Sequence, residues 1–338
     1  MADILKLVKE KDLIEYASAY NYQTAFKGSQ LFPARKVEDI KFRYRQLVEG
    51  GNLPVMAKVH ALDSEARIGE RPDFQEFTLE QMFIKEKINL TERQATFLGN
   101  NASDALIKDF VYDDEGNMIS RVLTRAEVMN MELLSTGKVT VNENNVKMEV
   151  DYHLPASNKI ALGNWASPDY DIIGDLRRVK TVASSKGIVV VRAFTTSEVV
   201  GYMLANKGIQ GYWANKSDVL TDKALMSWVE GQFGINFVLV DEIYKDSLAS
   251  ATVHKFFKEN TITFVNTLGA LGEGLYGVTP EERLLNDGKY EFREKMLVAL
   301  TIWGTPDPAG VWTKGSALYV PVVKDINSML IGTIAVGA

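Results

Sequence analysis

The sequence of 338 residues contains no cysteine, and this excludes several kinds of site. Without a thiol the chain has no disulfide, no thiolate nucleophile and no zinc or iron–sulfur site built on cysteine. The three histidines, His60, His153 and His254, are far apart, and none has a second histidine or a carboxylate at the spacing of a helical metal site. We therefore expect no metal ion and no cofactor. A chain without cysteine also suits the reducing cytoplasm.

A surplus of positive charge is missing as well. The chain has 38 Lys and Arg residues dispersed among 44 Asp and Glu residues, for a net charge of −6. A surface dedicated to nucleic acid needs clustered basic residues, so we expect any contact with DNA to be weak. No apolar run approaches the roughly 18 residues that span a membrane, and the N-terminus lacks the apolar core of a signal peptide. The composition, 46% hydrophobic and 24% charged, is that of an ordinary globular protein.

A glycine-rich segment, "NTLGALGEGLYGVTP" at 266–280, follows the apolar run "TITFV". Its glycines are Gly269, Gly272, Gly274 and Gly277. The spacing G-x-x-G-x-G differs from the dinucleotide fingerprint G-x-G-x-x-G, and no Gly-Lys-Ser/Thr follows as in a P-loop. Thr279 then caps a predicted helix whose first turn carries Glu281 and Glu282, where a bound anion would lie. We predict a structural turn that leaves a sheet, with positive φ at Gly272 and Gly274, and no phosphate site.

Candidates for catalysis are few. Ser184 and Ser185 match neither S-x-x-K nor G-x-S-x-G, so neither is predicted to be a nucleophile. Asp241 and Glu242 follow the strand-like run "NFVLV", a position where carboxylates of open α/β sheets bind metal or ribose. Against this, the turn "RAFTTSE" after the other buried strand contains no glycine and no phosphate motif. An α/β enzyme with a site near Asp241, Glu242 and the glycine turn at 269–277 is therefore the alternative hypothesis.

The first 90 residues predict extended structure that cannot form a core of its own. Residues 1 to about 27 hold too few apolar side chains for a domain and indicate an arm. The runs "KVEDIKFRYRQL", "VMAKVHAL" and "FQEFTLEQMFIKEKINL" have the apolar period of strands, and the charged turn "DSEARIGERPD" joins the last two into a long hairpin. Such a hairpin must lie on another surface. The residues at its tip are Asp63, Glu65, Arg67, Glu70, Arg71 and Asp73, followed by Phe74 and Phe77.

One long helix is predicted near the middle of the chain. Apolar residues at steps of three or four between Ile119 and Leu134 predict four or five turns that end before Gly137. Thr124 with Glu127 has the spacing of a capping box. The same spacing occurs earlier, at Thr91 and Gln94, and also predicts a helix start.

A hairpin and a compact α/β unit follow. The hairpin turns at Asn144-Asn145. From 167 to about 266 the pattern alternates between a helix starting at Ser167-Pro168, the strand "GIVVVRAF", a helix ending at Gly208, a helix at 219–232 and the strand "INFVLVDEIY". Three further strands, in "KMLVALTIWG", "GSALYVPVV" and "SMLIGTIAV", complete the C-terminus.

Taken in order, these segments resemble the major capsid protein of tailed bacteriophages, most closely the lambda-like family known as capsid protein E. The resemblance rests on "LFPARKVEDIKFRYRQL" after the arm, "RIGERPDFQEFTLEQMFIKEKINLTERQ" descending from the hairpin, "NTITFVNTLGALGEGLYG", and the closing "ALYVPVVKDINSMLIGTIAVGA". It covers essentially the full chain. It implies an α+β, HK97-like capsid fold with an N-terminal arm, an extended E-loop hairpin, a peripheral domain with a long spine helix, and an α/β axial domain.

The resemblance also implies domain boundaries. The implied domains are an N-terminal arm and lead-in at 1–45, the E-loop hairpin at 46–90, the peripheral domain at 91–166 with the spine helix at about 119–136, the axial domain at 167–282, and C-terminal strands at 283–338 that return to the peripheral domain.

The implied function is structural and not enzymatic: self-assembly into the pentamers and hexamers of an icosahedral shell that encloses the phage genome. The E-loop residues implied to contact a neighbouring subunit are Glu65, Arg67, Glu70, Arg71, Phe74 and Phe77. Implied partners are other copies of the chain, a scaffolding protein, a portal and a decoration protein, with packaged DNA contacted only weakly and no membrane. The implied location is the virion, after assembly in the host cytoplasm.

Two further points bear on the resemblance. No local signature predicts the covalent cross-links that some relatives form between subunits. A tail tube subunit of the same virion is another alternative, although tube subunits are usually shorter and lack the spine helix.

Overall fold

A computed structural model describes residues 26–47, 55–60, 62, 65, 68, 71, 73–94, 104–213, 220–284, 291–295 and 297–336. The chain divides into two compact units, and each is assembled from segments that are distant in sequence. The first unit comprises Met1–Phe42, Glu80–Asn130 and Gly272–Val322, and the second comprises Arg43–Leu79, Met131–Leu271 and Val323–Ala338.

The α-helices and strands whose bounds lie within the described residues are numbered in chain order. The helices are α1 (Lys27–Leu31), α2 (Asp104–Thr136), α3 (Ile172–Ser185), α4 (Ser197–Ala205), α5 (Lys207–Gly211), α6 (Asp222–Phe233) and α7 (Pro280–Leu284). The strands are β1 (Ala34–Val37), β2 (Lys41–Leu47), β3 (Phe74–Glu80), β4 (Met82–Leu90), β5 (Lys138–Glu143), β6 (Val146–Asp151), β7 (Lys159–Leu162), β8 (Arg192–Thr195), β9 (Asn236–Leu239), β10 (Ile243–Tyr244), β11 (His254–Lys255), β12 (Thr261–Val265), β13 (Gly272–Gly277), β14 (Glu291–Lys295), β15 (Val298–Pro306), β16 (Ala309–Val323) and β17 (Leu330–Ile334).

The sheet of the first unit has the strand order β1-β13-β16-β15-β14, and β4 pairs with β16 off this path. The long strand β16 runs antiparallel to both β15 and β4, with Ser316 opposite Ala299 on one side and Lys85 on the other. Gly315 of this strand faces α2 closely, because a Cβ there would lie 2.9 Å from the Cβ of Met118. The sheet and the long helix therefore share one core.

The long helix α2 starts earlier than the apolar pattern predicts. It spans 33 residues from Asp104 rather than about 18 from Ile119. The signal is weak before Ile119 because "DDEGN" places charged residues and a glycine where apolar ones would continue the stripe. The predicted end is confirmed: Gly137 has φ of +75°, and its N–H donates to the carbonyl of Leu133 at 2.9 Å.

The two capping boxes predicted around this region have different outcomes. At the first, the N–H of Thr91 donates to Gln94 at 3.0 Å and the N–H of Gln94 donates to Thr91 at 3.4 Å, so the box is confirmed. The second prediction is wrong. Thr124 lies inside α2, where its hydroxyl donates to the carbonyl of Ser120 at 2.8 Å. Glu127 instead accepts from the N–H of Gly28 at 2.6 Å and so holds α1.

The start of the described chain is anchored in the first unit. Phe26, Leu31 and Phe32 are all buried around the short helix α1. Gly28 leaves no room for a side chain, because a Cβ there would lie 2.4 Å from the Glu127 carboxylate. Residues 1–25, predicted to form an arm, lie outside the described residues. The described chain is thus anchored at residues 26–32.

The sheet of the second unit has the order β7-β17-β12-β8-β9. Strand β12 is antiparallel to β17 and β8, while β8 is parallel to β9 and β17 is parallel to β7. All five residues of β12, "TITFV", are buried. Helices α3, α4, α5 and α6 cover this sheet with one hydrophobic cluster that includes Leu176, Val200 and Val229. The alternation of helices and strands predicted for this region is present.

Several boundaries in the second unit differ from the prediction because a side chain caps the backbone at another place. Helix α3 begins at Ile172 rather than at Ser167, since the Asp171 carboxylate accepts from the N–H of Gly174 at 2.8 Å. Gly208 does not end a helix. Helix α4 stops at Ala205, and the side chain of Asn206 accepts from the N–H of Ile209 at 3.0 Å to start α5.

The predicted hairpin at Asn144-Asn145 is confirmed. Strands β5 and β6 pair antiparallel, with Glu143 opposite Val146. The two central residues have φ of 49° and 62°. Positive φ at both positions is the conformation of a type I′ turn, in which asparagine is favoured.

Candidate functional site

Strands β2 and β3 form a two-stranded ribbon whose inner face is fixed to the second unit. The ring of Tyr44 contacts that of Tyr152 edge-on, with centroids 6.5 Å apart. Burial raises the pKa of Tyr44 to about 12. Next to it, the side-chain amide of Gln46 donates to Asn327 at 3.0 Å. These contacts hold the base of the long connection between β2 and β3.

The outer face of the ribbon is occupied by ion pairs. Glu76 accepts from Arg43 at 3.3 Å and from Arg45 at 3.0 Å. Lys41 and Glu80 are 2.9 Å apart. Each of these side chains is at least 40% exposed, so the pairs contribute about 1 kcal/mol or less each. They connect β2 to β3 within the ribbon and stabilise the fold little.

Between the two strands lies a long connection, and its described residues between 55 and 73 are named the extended segment. The structure describes it at Val55–His60 and at Leu62, Glu65, Ile68, Arg71 and Asp73, and at these positions it has neither helix nor strand. The prediction that "VMAKVHAL" forms a strand paired with "FQEFTLE" is therefore wrong for the described residues. Strand β3 pairs with β2 instead, so the loop that this ribbon carries is longer than the predicted hairpin tip.

The apolar side chains of the extended segment are almost fully exposed. Their exposed fractions are Val55 95%, Met56 85%, Val59 98%, Leu62 97% and Ile68 91%. Single exposed apolar residues are common, but a series of them along one segment marks a surface for another molecule. Complete burial of one such side chain contributes about 1.5–3 kcal/mol.

The tip residues predicted from the sequence lie in different settings. Glu65 and Arg71 are exposed. Arg67 and Glu70, like Asp63 beside them, lie outside the described residues. Phe74 is 61% exposed at the start of β3. The ring of Phe77 stacks on His153 of the same unit at 4.2 Å, so it is occupied within its own chain.

The sequence does not predict the exposure of the apolar residues of this segment. The sequence predicts that the charged residues of the tip make the contact and that Val55, Val59 and Leu62 lie in a strand.

The glycine-rich segment is not the predicted turn. Gly272, Gly274 and Gly277 lie in the buried strand β13, which pairs in parallel with β1, and only Gly269 lies in the preceding loop. Positive φ among the described glycines occurs at Gly137, Gly187 and Gly234 instead. The strand has glycine at these positions because neighbouring side chains leave no space for a Cβ. A Cβ on Gly274 would lie 2.8 Å from the Tyr319 hydroxyl, and one on Gly277 would lie 2.0 Å from the Gln81 side chain.

The loop 266–271 before this strand is held by an arginine of β8. The guanidinium of Arg192 donates to the carbonyl of Thr267 at 2.8 and 3.0 Å and to that of Gly269 at 2.7 Å. Burial lowers the pKa of Arg192. The loop presents Leu268 at 68% exposure. The predicted helix start after the strand is confirmed. The N–H of Thr279 donates to the Glu282 carboxylate at 3.1 Å, and the N–H of Glu282 donates to the Thr279 hydroxyl at 3.4 Å.

A family model described as phage major capsid protein E matches residues 11–334 of the chain. The chain belongs to the phage major capsid protein E family. Its members form the shell of the virion, so this chain is a shell-forming major capsid protein and not an enzyme. None of the curated proteins matches it.

Solved structures show the same fold. A protein described as the capsid protein of an E. coli CFT073 prophage aligns with a TM-score of 0.63 at 15% identity, over 96% of this chain and 98% of that one. A phage-related protein from Bordetella bronchiseptica RB50 aligns with a TM-score of 0.55 at 12% identity, over 96% of both chains. The capsid of a native GTA particle aligns with a TM-score of 0.50 at 14% identity, over 94% and 92%. The capsid protein therefore has the α+β, HK97-like fold.

The residues of the enzyme alternative have structural roles in this capsid protein. The carboxylate of Asp241 accepts from the N–H of Ser197 at 2.7 Å and contacts the Ser197 hydroxyl, so it caps helix α4. The backbone carbonyl of Glu242 accepts from the N–H of Phe256 at 3.1 Å. Within the described ranges no group of three metal-ligating side chains comes together. No described helix is both long and apolar enough to cross a membrane.

Proposed function

We propose that copies of this capsid protein assemble into pentamers and hexamers that close an icosahedral shell, and that the extended segment of each copy lies on a neighbouring copy. The observation that carries the proposal is the exposure of five apolar side chains on one segment, each at 85% or more. A heterologous contact, in which one surface meets a different surface of the next copy, closes identical chains into rings.

The energy of such a contact is sufficient for assembly. Burying five side chains at about 1.5–3 kcal/mol each gives a gross gain on the order of 10 kcal/mol. Association and ordering of the segment cost several kcal/mol of this. The remaining gain in free energy occurs at every copy, so a contact of modest free energy stabilises the shell.

Charged residues of the tip add specificity in this proposal. Arg71 and Glu65 are exposed on the free subunit. Together with Arg67 and Glu70, they offer bidentate partners to a neighbouring carboxylate or guanidinium that loses its water on assembly. Phe74, half exposed beside them, adds apolar area, whereas Phe77 supports the base of the ribbon through His153.

Further partners and the location belong to the proposal as well. A scaffolding protein and a portal are proposed to direct assembly in the host cytoplasm, and a decoration protein is proposed to bind the finished shell. The shell then resides in the virion around the phage genome. The net charge of −6 supports only weak contact between this capsid protein and the packaged DNA.

The test replaces two exposed apolar residues by charged ones. Val59→Asp with Leu62→Asp is expected to leave the free energy of unfolding of the unassembled subunit within about 0.5 kcal/mol of wild type, because both side chains already face water. Negative-stain microscopy of material expressed with its assembly proteins is expected to show few or no shells.

A matched control keeps the apolar character. Val59→Ile with Leu62→Met preserves the surface that a neighbour would cover, so its shell yield is expected to equal that of wild type. Normal shells from the aspartate variant would contradict the role of the extended segment. Wild-type protein that forms only small discrete oligomers would contradict the shell itself.

A further inference from the structure

A groove of about 220 Å³ opens at one end of the five-stranded sheet of the second unit. It lies where β8 and β9 begin. Ile188 to Val191 line it from the residues before β8, Phe233 and Gly234 from the end of α6, and Lys180 and Ala183 from α3. Val189 at its rim is 72% exposed. The groove is thus an apolar depression with a valine at its edge and a lysine beside it.

A short hairpin projects beyond the opposite end of the same sheet. Strands β10 and β11 pair with Tyr244 opposite His254, and the connecting residues carry Leu248 at 87% exposure. The hairpin is braced by aromatic contacts, since the Tyr244 ring lies 5.3 Å from His254 and 4.9 Å from Phe256. It therefore presents Leu248 on a supported base.

One carboxylate of the hairpin and one lysine of the groove have opposite charges. Asp246 lies two residues before Leu248, and its side chain is 64% exposed even though it contacts His254 at 2.8 Å. Lys180 lies at the groove, where its amino group donates to the carbonyl of Phe233 at 2.7 Å. A lysine has three donors, so this contact leaves two for a carboxylate that approaches the groove.

Their positions favour a contact between two copies. Strand β9 separates the surfaces: Gly234 precedes it at the groove end, and the hairpin follows it at the other end. A projection at one end and a depression at the other fit a head-to-tail contact between successive copies. Such a heterologous contact forms a ring when the rotation closes.

We infer that Leu248 of one copy inserts into the groove beside Val189 of the next copy, with Asp246 near Lys180, and that this contact closes the rings of the shell. The inference rests on the proposed function, because it assigns one of the contacts within the pentamers and hexamers. It is separate from the contact of the extended segment, which lies outside this sheet.

The absence of cysteine makes a direct test possible, because any disulfide comes from introduced residues. Leu248→Cys and Val189→Cys are combined in one chain, and assembled material is mildly oxidised. A ladder of covalent oligomers that stops at five and six subunits is expected. Each single variant is expected to stay monomeric on a denaturing gel, and mixing the two single variants is expected to give dimers. Both positions are exposed, so the subunit should melt as wild type does.

The control pairs Leu248→Cys with Leu284→Cys, an exposed leucine at 76% exposure outside this sheet. A ladder of equal intensity from the control pair would overturn the inference, because cross-linking would then be unspecific. If wild-type shells form and the Leu248–Val189 pair gives no ladder, the inference is wrong and the proposed function stands. If wild type forms no shells, the proposed function itself fails.

Charge reversal gives an independent readout. Asp246→Lys alone is expected to lower shell yield by roughly tenfold, because two lysines would meet at the groove. Adding Lys180→Glu is expected to restore the yield to within about twofold of wild type by exchanging the two signs. A double variant that assembles no better than Asp246→Lys would contradict the pairing.

Discussion

The core of the second unit and the extended segment use the same kinds of side chain in opposite ways. Ile262 and Phe264 in β12 are fully buried, whereas Val59 and Leu62 in the extended segment are 98% and 97% exposed. The core residues find their partners within the chain, and those of the extended segment do not. Hydrophobicity alone therefore does not tell a folding residue from an assembly residue in this protein.

The comparison separates two free energies. Apolar contacts inside the unit contribute to the free energy of unfolding of a single subunit. Apolar groups on the extended segment contribute nothing there, because they are in water both before and after folding. Their contribution belongs to association, so variants in the two regions should affect different measurements.

The largest effect on folding is expected in the core. Phe264→Ala removes a fully buried ring from the middle of the sheet and should lower the free energy of unfolding by about 3–5 kcal/mol. Urea denaturation of the unassembled subunit measures it. A loss below about 1 kcal/mol would show that this sheet is not the folding core of the second unit.

A smaller effect is expected from a buried carboxylate of the same unit. Burial alone would raise the pKa of Asp175, but the N–H of Gly163, the indole of Trp165 and Arg178 outweigh it and hold the pKa below its usual value. Asp175→Asn removes the charge that these donors stabilise, and should cost about 2 kcal/mol at neutral pH.

The pH dependence of this variant gives a second check. A carboxyl group whose pKa is lower in the folded chain stabilises it above the unfolded value of about 3.9, and this contribution is lost as pH falls through the folded pKa. The wild-type free energy of unfolding should therefore fall more steeply below about pH 4 than that of Asp175→Asn. If the free energies of unfolding of the two proteins fall equally with pH, Asp175 does not cause the pH dependence.

Two glycines give the next comparison, within one short stretch of chain. Gly274→Ala places a methyl group 2.8 Å from the Tyr319 hydroxyl and 3.0 Å from the carbonyl of Phe32, and should cost about 1–3 kcal/mol. Gly269→Ala meets nothing closer than 3.7 Å and should stay within about 0.5 kcal/mol. Thermal unfolding of both variants checks the pair. Equal costs at the two positions would show that backbone conformation, rather than a lack of space, requires glycine there.

The smallest effect on folding is expected at the tip of the extended segment. Arg67→Glu with Arg71→Glu should leave the melting temperature of the unassembled subunit nearly unchanged, because the sequence predicts a solvated tip, where charges contribute about 0.5 kcal/mol or less. Shell yield should fall strongly, because the arginines are proposed to pair with a neighbouring copy. Shells of normal yield and stability from this variant would remove the charged tip from the contact.

Local signals in the sequence predict local structure well in this protein. The turn at Asn144-Asn145 and the end of α2 at Gly137 are correct, because each depends on residues a few positions apart. The same kind of local signal gives a wrong prediction where a residue distant in sequence makes the contact. Thr124 and Glu127 look like a capping box, but Glu127 binds Gly28, which lies 99 residues earlier.

The extended segment and the glycines of β13 are harder to predict from the sequence for the same reason. The pattern of "VMAKVHAL" is that of a strand, and a strand needs a partner that the local sequence does not reveal. The glycines of β13 likewise depend on Tyr319 and Gln81, whose approach follows from the tertiary fold. The family resemblance supplied the function, which no single motif in the chain encodes.

The central claim is that the apolar residues of the extended segment are covered by another copy in the shell. Val59→Cys introduces one thiol into a cysteine-free chain, so its labelling by a small alkylating reagent reports on that position alone. The thiol should react at the rate of a free cysteine in the unassembled subunit and on the order of ten times more slowly, or not at all, in purified shells. Equal rates in the subunit and the shell would show that Val59 stays in water after assembly, and would contradict the account.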